Sequence, residues 1–438
     1  MIVLKTFKKI YIILALCLLS SAFLLALEKD VKHTKKPILL KQPADSLVVT
    51  TRDGYTERAL HGHVWLNQGT INLFSEYAQQ TEETNTVILR KDVVIKQGTL
   101  NLYTNDAIYY GFTQMAYSSG TVNIVDRNTT LVASSGSYDA YEHIAEFNGN
   151  VVVENDSAII FANHVTYFRK DRTSFVDGNA HIFGKFTNAV IRADSIKYFS
   201  EKSYATAYGI PVLFQIDTLN KNSTNPEEVK LDTMTISANK MEAYFGQDNE
   251  NYICTGSVEI NKDSLAAKCS KAIYNKYMSE IYLIGSPIIW YAGTQIHADS
   301  VCIRFENNKI KQIRSFGNAI TMMHNDSVNV DRIDQITGDT LFVDFLDGKI
   351  NGLYCNGQAK SLYFYSDEEG LIGADKTSTN KITIDFKEGK AAKINWLGSS
   401  EKEFINGAAL FEKEKEFYLS NFKWYNEKPI KKFLFFSC

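Results

Sequence analysis

Phe147-Asn148-Gly149-Asn150-Val151-Val152-Val153 decides the fold of this chain, because the same phrase keeps returning. It comes back as Val176-Asp177-Gly178-Asn179-Ala180-His181-Ile182, as Cys254-Thr255-Gly256-Ser257-Val258-Glu259-Ile260 and as Leu283-Ile284-Gly285-Ser286-Pro287-Ile288-Ile289. A shorter copy is Ser315-Phe316-Gly317-Asn318-Ala319, and looser ones sit at Gly62, Gly120, Gly209, Gly357 and Gly398. Gly120 to Gly149 and Gly149 to Gly178 are steps of 29 residues, and Gly178 to Gly209 is 31. A fixed period of this size marks an array whose unit is one small supersecondary element that cannot bury its apolar face alone.

Alternation around each glycine says what the unit is. In a strand, side chains two apart share a face. Ala145, Phe147, Val151 and Val153 lie on one side of the Gly149 copy, and Glu146, Asn148, Asn150 and Glu154 on the other. The glycine stands mid-strand on the apolar side, which points to a sharp bend or a close backbone approach. A second landmark follows, as Ile191-Arg192-Ala193-Asp194-Ser195-Ile196-Lys197-Tyr198 and Ile296-His297-Ala298-Asp299-Ser300-Val301-Cys302-Ile303. There the alternation slips phase, and the sequence predicts a corner at the Asp-Ser pair, with short polar side chains capping their own backbone. No 3.6-residue period persists for more than a turn or two. The expectation is an all-β fold, an elongated stack of sharply folded strands with a greasy inner surface.

Of the 438 residues, 45% are hydrophobic and 12% aromatic, and formal net charge is −3, so nothing electrostatic argues for nucleic acid. Lys5, Lys8 and Lys9 precede the apolar run Ile10 to Leu27, which reads as an export signal cleaved after Ala22 or Ala26, or as an uncleaved anchor. Leu16 is too large for a residue preceding an acylated Cys17, which disfavours lipidation. The other five cysteines show no CxxC spacing, and no disulfide pair stands out. The predicted organisation is an export segment or anchor over 1–27, a tether over 28–45, a first stack over 46–216, a loop or hinge over 217–232, a second stack over 233–400 and a capping segment over 401–438.

The Gly-Asn-Val phrase, followed about thirteen residues later by Ala-Asp-Ser and a tyrosine, repeated behind an export signal, resembles the OstA/LptA/LptC lipopolysaccharide-transport family, most closely its long OstA-like members. The residues that carry the likeness are Gly149-Asn150-Val151, Gly178-Asn179-Ala180, Gly317-Asn318-Ala319, Ala193-Asp194-Ser195 and Ala298-Asp299-Ser300. The resemblance implies a V-shaped or jelly-roll trough holding lipid A acyl chains, in the periplasm or tethered to the inner membrane. Phe147, Val151, Val153, Val176, Ile182, Leu213, Val258, Ile260, Leu283 and Ile289 would line it. Gly149, Gly178, Gly209, Gly256, Gly285 and Gly317, with Asp194 and Asp299, would be structural. Implied partners are lipopolysaccharide, other components of the transport bridge and further copies of the chain joined head to tail.

Other signals compete with that reading. Asp194 and Asp299 suggest the acidic clusters of β-helix carbohydrate enzymes, but a catalytic pair should occur once whereas these recur, so no enzyme and no cofactor is expected. His61 and His63, two apart on one strand, could bind a metal with a third ligand, yet none stands nearby and no metal is expected. The alternative to transport is a structural or adhesive surface solenoid with a fully packed interior, and less favoured is a polysaccharide-active enzyme.

Overall fold

The computed structural model describes residues 36–219, 230–246, 249–324, 329–367, 370–387 and 390–433. The predicted export segment lies outside them. Strands β1 to β30 run from Leu39 to Asn406, each antiparallel to its partners. Compactness divides the chain inside β11 (Ile144–Glu154), into residues up to Asn148 and residues from Gly149 onward.

One strand pair shows how the repeat is made. β13 (Thr173–Gly184) runs beside β14 (Ala189–Phe199), in register from Thr173–Phe199 to Asp177–Ser195, and again from Ala180–Ala193 to Phe183–Val190. Gly178 and Asn179 therefore stand against Asp194 alone, a bulge that bends the strand. Both bulge residues are left-handed, with φ of +69° and +56°. Glycine takes that conformation freely and asparagine tolerates it, which is why the phrase reads Gly-Asn. The same register shift falls between Thr255 and Val258 of β19 (Asn249–Lys262), and between Phe316 and Ala319 of β25 (Lys309–His324). In β5 (Thr86–Gln97) the pair Lys91-Asp92 fills the role, with φ of +62° and +50°.

Every crease divides its strand into two arms while returning apolar side chains to the inside. Val176 before the crease and Ile182 after it are both buried. Where the repeat lengthens, the arms are carried by separate strands: β15 (Tyr204–Tyr208) and β18 (Lys240–Gly246) in the first, β16 (Val212–Leu219) and β17 (Lys230–Ser237) in the second. Of the stretch 217–232, expected as a loop or hinge between two stacks, the ends 217–219 and 230–232 are described, and both are strand. β16 and β17 stay paired out to Leu219–Lys230, and their flanks pair with β14 and β19, so strand pairing is unbroken here.

Residues 401–406 form β30 (Glu401–Asn406), paired to β28 (Gly370–Lys387), and a one-turn helix, α1 (Gly407–Leu410), is capped by the Asn406 side chain. Beyond it a strap with one 3-10 turn, Glu414–Phe417, runs back over the outer face of the second arm. Leu419 N–H donates to Gln335, Gln295 and Trp290 donate to the Tyr425 carbonyl, and Asn261 donates to that of Ile430. Phe422 and Trp424 pack on Ile320, Met322 and Ile333. The reason is solvent: a strand edge can give its backbone groups to water, whereas this outer face is apolar and must be covered.

Candidate functional site

The ten residues expected to line the interior all point inward, and none is more than 3% exposed. In the second unit Val176, Ile182, Leu213, Ile260, Leu283 and Ile289 fall on two cross-strand rows. On the second arm, Ile160, Ile182, Ile191, Leu213, Ile236 and Ile260 succeed one another directly across neighbouring strands, and Ala267, Ile289 and Ile296 continue the row. On the first arm the row is Val165, Val176, Ile196, Ala207, Met241, Cys254, Ala272, Leu283 and Val301. Side chains directly opposite on neighbouring strands touch, so each row is one aliphatic stripe.

The interior is closed, not an open trough. Where the arms meet at their tips, a buried tyrosine of the first arm bonds a polar residue of the second. Tyr109 donates to Gln68 Oε1 at 2.6 Å, with Gln68 Nε2 bonded in turn to the Gly111 carbonyl, and Tyr138 donates to Gln97. In the second unit Tyr198 meets Ser157 Oγ at 2.8 Å and Asn155 Nδ2 at 2.9 Å. Tyr109, Tyr138 and Tyr198 each reach a partner 41 residues earlier. Lys276 faces Asp217 at 3.8 Å, and Tyr291 donates to the Gly348 carbonyl at 3.0 Å. Burial holds the phenols of Tyr109, Tyr198 and Tyr252 protonated well above the ordinary range. Alternation cannot reveal this row, because its partners stand 41 residues apart on opposite arms.

Beside Tyr291 the packing loosens. A cavity of about 60 Å³ with an almost wholly apolar lining lies among Ile296, Met323, Ile336, Phe345, Leu353 and Ile384. That is room for more than one water, with Thr294, Thr321 and Asp334 the polar residues on an otherwise aliphatic and aromatic wall.

The remaining candidates are structural. A Cβ on Gly178 would lie 2.9 Å from Asn163 Cβ, and one on Gly256 would lie 2.8 Å from Asn239 Nδ2. Asp194 and Asp299 press on Gly209 and Gly317 in the same way, and Asn318 donates to Asp299. These aspartates fill the space over the next strand's glycine rather than capping their own backbone. His61 and His63 do not share a face, because the Gly62-His63 bulge turns between them: His61 packs on the Tyr77 ring, and His63 pairs with Asp45. No cluster of metal-binding side chains occurs among the described residues. Cys254, Cys269, Cys302 and Cys355 are free, and burial pushes the Cys355 thiol up to about 12.

A creased antiparallel sheet with a continuous apolar inside defines the class as a β-jelly-roll of stacked strands. Residues 35–185 match the family described as OstA-like protein, and residues 130–309 match the family described as LptA/(LptD N-terminal domain) LPS transport protein. The two matches overlap and together span residues 35–309, which are thus similar to OstA-like and LptA-type proteins. Among solved structures it is similar to LptH, the LptA homologous periplasmic component of the conserved lipopolysaccharide transport device from Pseudomonas aeruginosa. Identity there is 14%, over 36% of this chain and 82% of that one, with a TM-score of 0.18. No curated protein matches the chain.

Proposed function

We propose that this chain carries the acyl chains of lipopolysaccharide through the periplasm, held in the interior of its creased sheet, with its predicted export segment as leader or inner-membrane tether. The observation that carries the reading is the pair of unbroken aliphatic rows. They give the successive strands of the second unit the same inner surface, and the second-arm row ends at Ile296 on the wall of the largely apolar cavity. Exposing a chain to water costs about 0.8 kcal/mol per CH₂, on the order of 10 kcal/mol for one long acyl chain. A surface that is the same at each station removes that barrier without a deep well at any of them. No chemical step is needed. Among the described residues no helix is long and apolar enough to cross a membrane.

The test belongs at the cavity. Val151 and Ile182 are packed so tightly that a charge there would unfold the sheet, whereas Met323 borders empty space. Met323→Glu should fold, and should weaken uptake of lipopolysaccharide by purified protein roughly tenfold or more, since a carboxylate in an apolar site repels hydrocarbon. Unchanged uptake in a folded variant would count against the interior as the carrier. The tight packing elsewhere favours a second reading, a structural solenoid, which requires that no lipopolysaccharide bind at all.

A further inference from the structure

We infer that the tyrosines bridging the two arms form a lateral latch, opened rung by rung to let a headgroup-bearing lipid move along the interior. The inference rests on the transport reading above. Its starting point is a conflict between the ligand's chemistry and the closed sheet. An amphiphile with sugars and phosphates at one end cannot place that end among aliphatic rows, because burying unpaired polar groups is prohibitive. Its chains must lie inside while its head rides outside, so the arms must part wherever it stands.

The contacts that hold the arms together suit such a movement. They are small sets of hydrogen bonds centred on a phenol: Tyr109 to Gln68, which also reaches the Gly111 carbonyl, Tyr138 to Gln97, which also reaches the Ala140 carbonyl, and Tyr198 to Ser157 and Asn155. Each phenol ring forms inner wall with its body and meets the opposite arm with its hydroxyl. Parting the arms exposes one hydroxyl and one amide or hydroxyl that water satisfies at once, so a rung opens at little cost while the row keeps the interior dry. The same spacing of 41 residues in both units makes the latch a property of the repeat. Tyr291, which bonds across to Gly348, also forms part of the cavity wall, so the loosest packing adjoins an arm-to-arm contact.

The experiment compares two lipids in the full chain. A free long-chain fatty acid has a small head and can thread the interior with the latch shut; lipopolysaccharide cannot. Tyr109→Phe, Tyr138→Phe and Tyr198→Phe, singly and together, remove the hydroxyls and keep the rings, and Tyr103→Phe and Tyr208→Phe, on exposed tyrosines, serve as controls. Stopped-flow uptake of fluorescent lipopolysaccharide should accelerate about fivefold for a latch variant, the factor that one hydrogen bond supplies, with fatty-acid uptake and the control variants at wild-type rates. Lipopolysaccharide entering the triple variant no faster than wild type, or equal acceleration in the controls, would overturn the latch while leaving carriage standing. Binding of neither lipid by any variant would remove the transport reading itself, and the latch with it.

Discussion

Gly54 and Gly256 have the same backbone and different surroundings. Both sit at φ of +80°, but nothing lies within 4 Å of a Cβ on Gly54, while one on Gly256 would strike the Asn239 side chain. Gly54→Ala should therefore cost only the left-handed strain, about 1 kcal/mol. Gly256→Ala must also push aside a side chain packed on the next strand, and roughly 2–4 kcal/mol is expected. Urea unfolding of the two variants separates the terms, and equal losses would mean that the asparagine is not what selects glycine. The sequence shows that a glycine is required at each crease, because the phrase repeats. It does not show why, since the side chain filling the space above Gly256 belongs to Asn239, a contact set by strand register and not by local spacing. The tyrosine row was illegible for the same reason: its partners lie 41 residues away and belong to the opposite arm.

At the scale of the element, the strap carries a pH dependence. His297 lies beneath it, its ring 5.2 Å from that of Tyr425, and burial together with Lys423 lowers its pKa from 6.5 to about 4. The docked state thus favours neutral imidazole, and a released strap would let His297 regain its ordinary value. The stabilisation this contributes is whole above pH 6.5 and is lost progressively as pH falls toward 4. Proteolysis in the strap should accelerate over that window, and His297→Gln should flatten the dependence; an unchanged profile in the variant would assign it elsewhere. Gln335→Ala offers a check at fixed pH. It leaves the buried Leu419 N–H without its acceptor, a loss of about 1–3 kcal/mol, and should raise strap cleavage at neutral pH. Charges interleaved with aromatics over 401–438 mark a covering segment, but not what it covers. An alternating strand declares its apolar face; β25 near its end is apolar on both, with Ala319, Ile320, Thr321 and Met322 all buried, and period-two reading cannot assign such a run.

Across the whole molecule, strand pairing leaves an edge at the beginning. β2 (Ser46–Arg52) is exposed along its entire length, with Leu47, Val48 and Val49 each about half exposed, and β3 (Tyr55–Gln68) is its partner. An apolar, uncovered edge strand invites another strand to add to it. The protein should self-associate with rising concentration in light scattering, and Val48→Lys should shift it toward monomer; a wild-type chain monomeric throughout would rule this edge out. The all-β class and the creased repeat were legible because register, hydrophobicity and glycine spacing agree. The pairing of Asp217 with Asp232 was not, since period-two reading of an insertion between two glycines does not say which of its residues face each other.

The two-residue crease also constrains how such a gene can change in length. Loss of one residue from β13 after Asn179 would turn Ala180 and Ile182 to solvent and drive His181 and Phe183 inside, so single-codon deletions within an arm should be purged. Removal or duplication of a whole step of about 29 residues keeps every remaining side chain on its own face. Relatives of this chain should therefore differ by whole rungs, with odd lengths confined to turns between strands such as the one between β13 and β14.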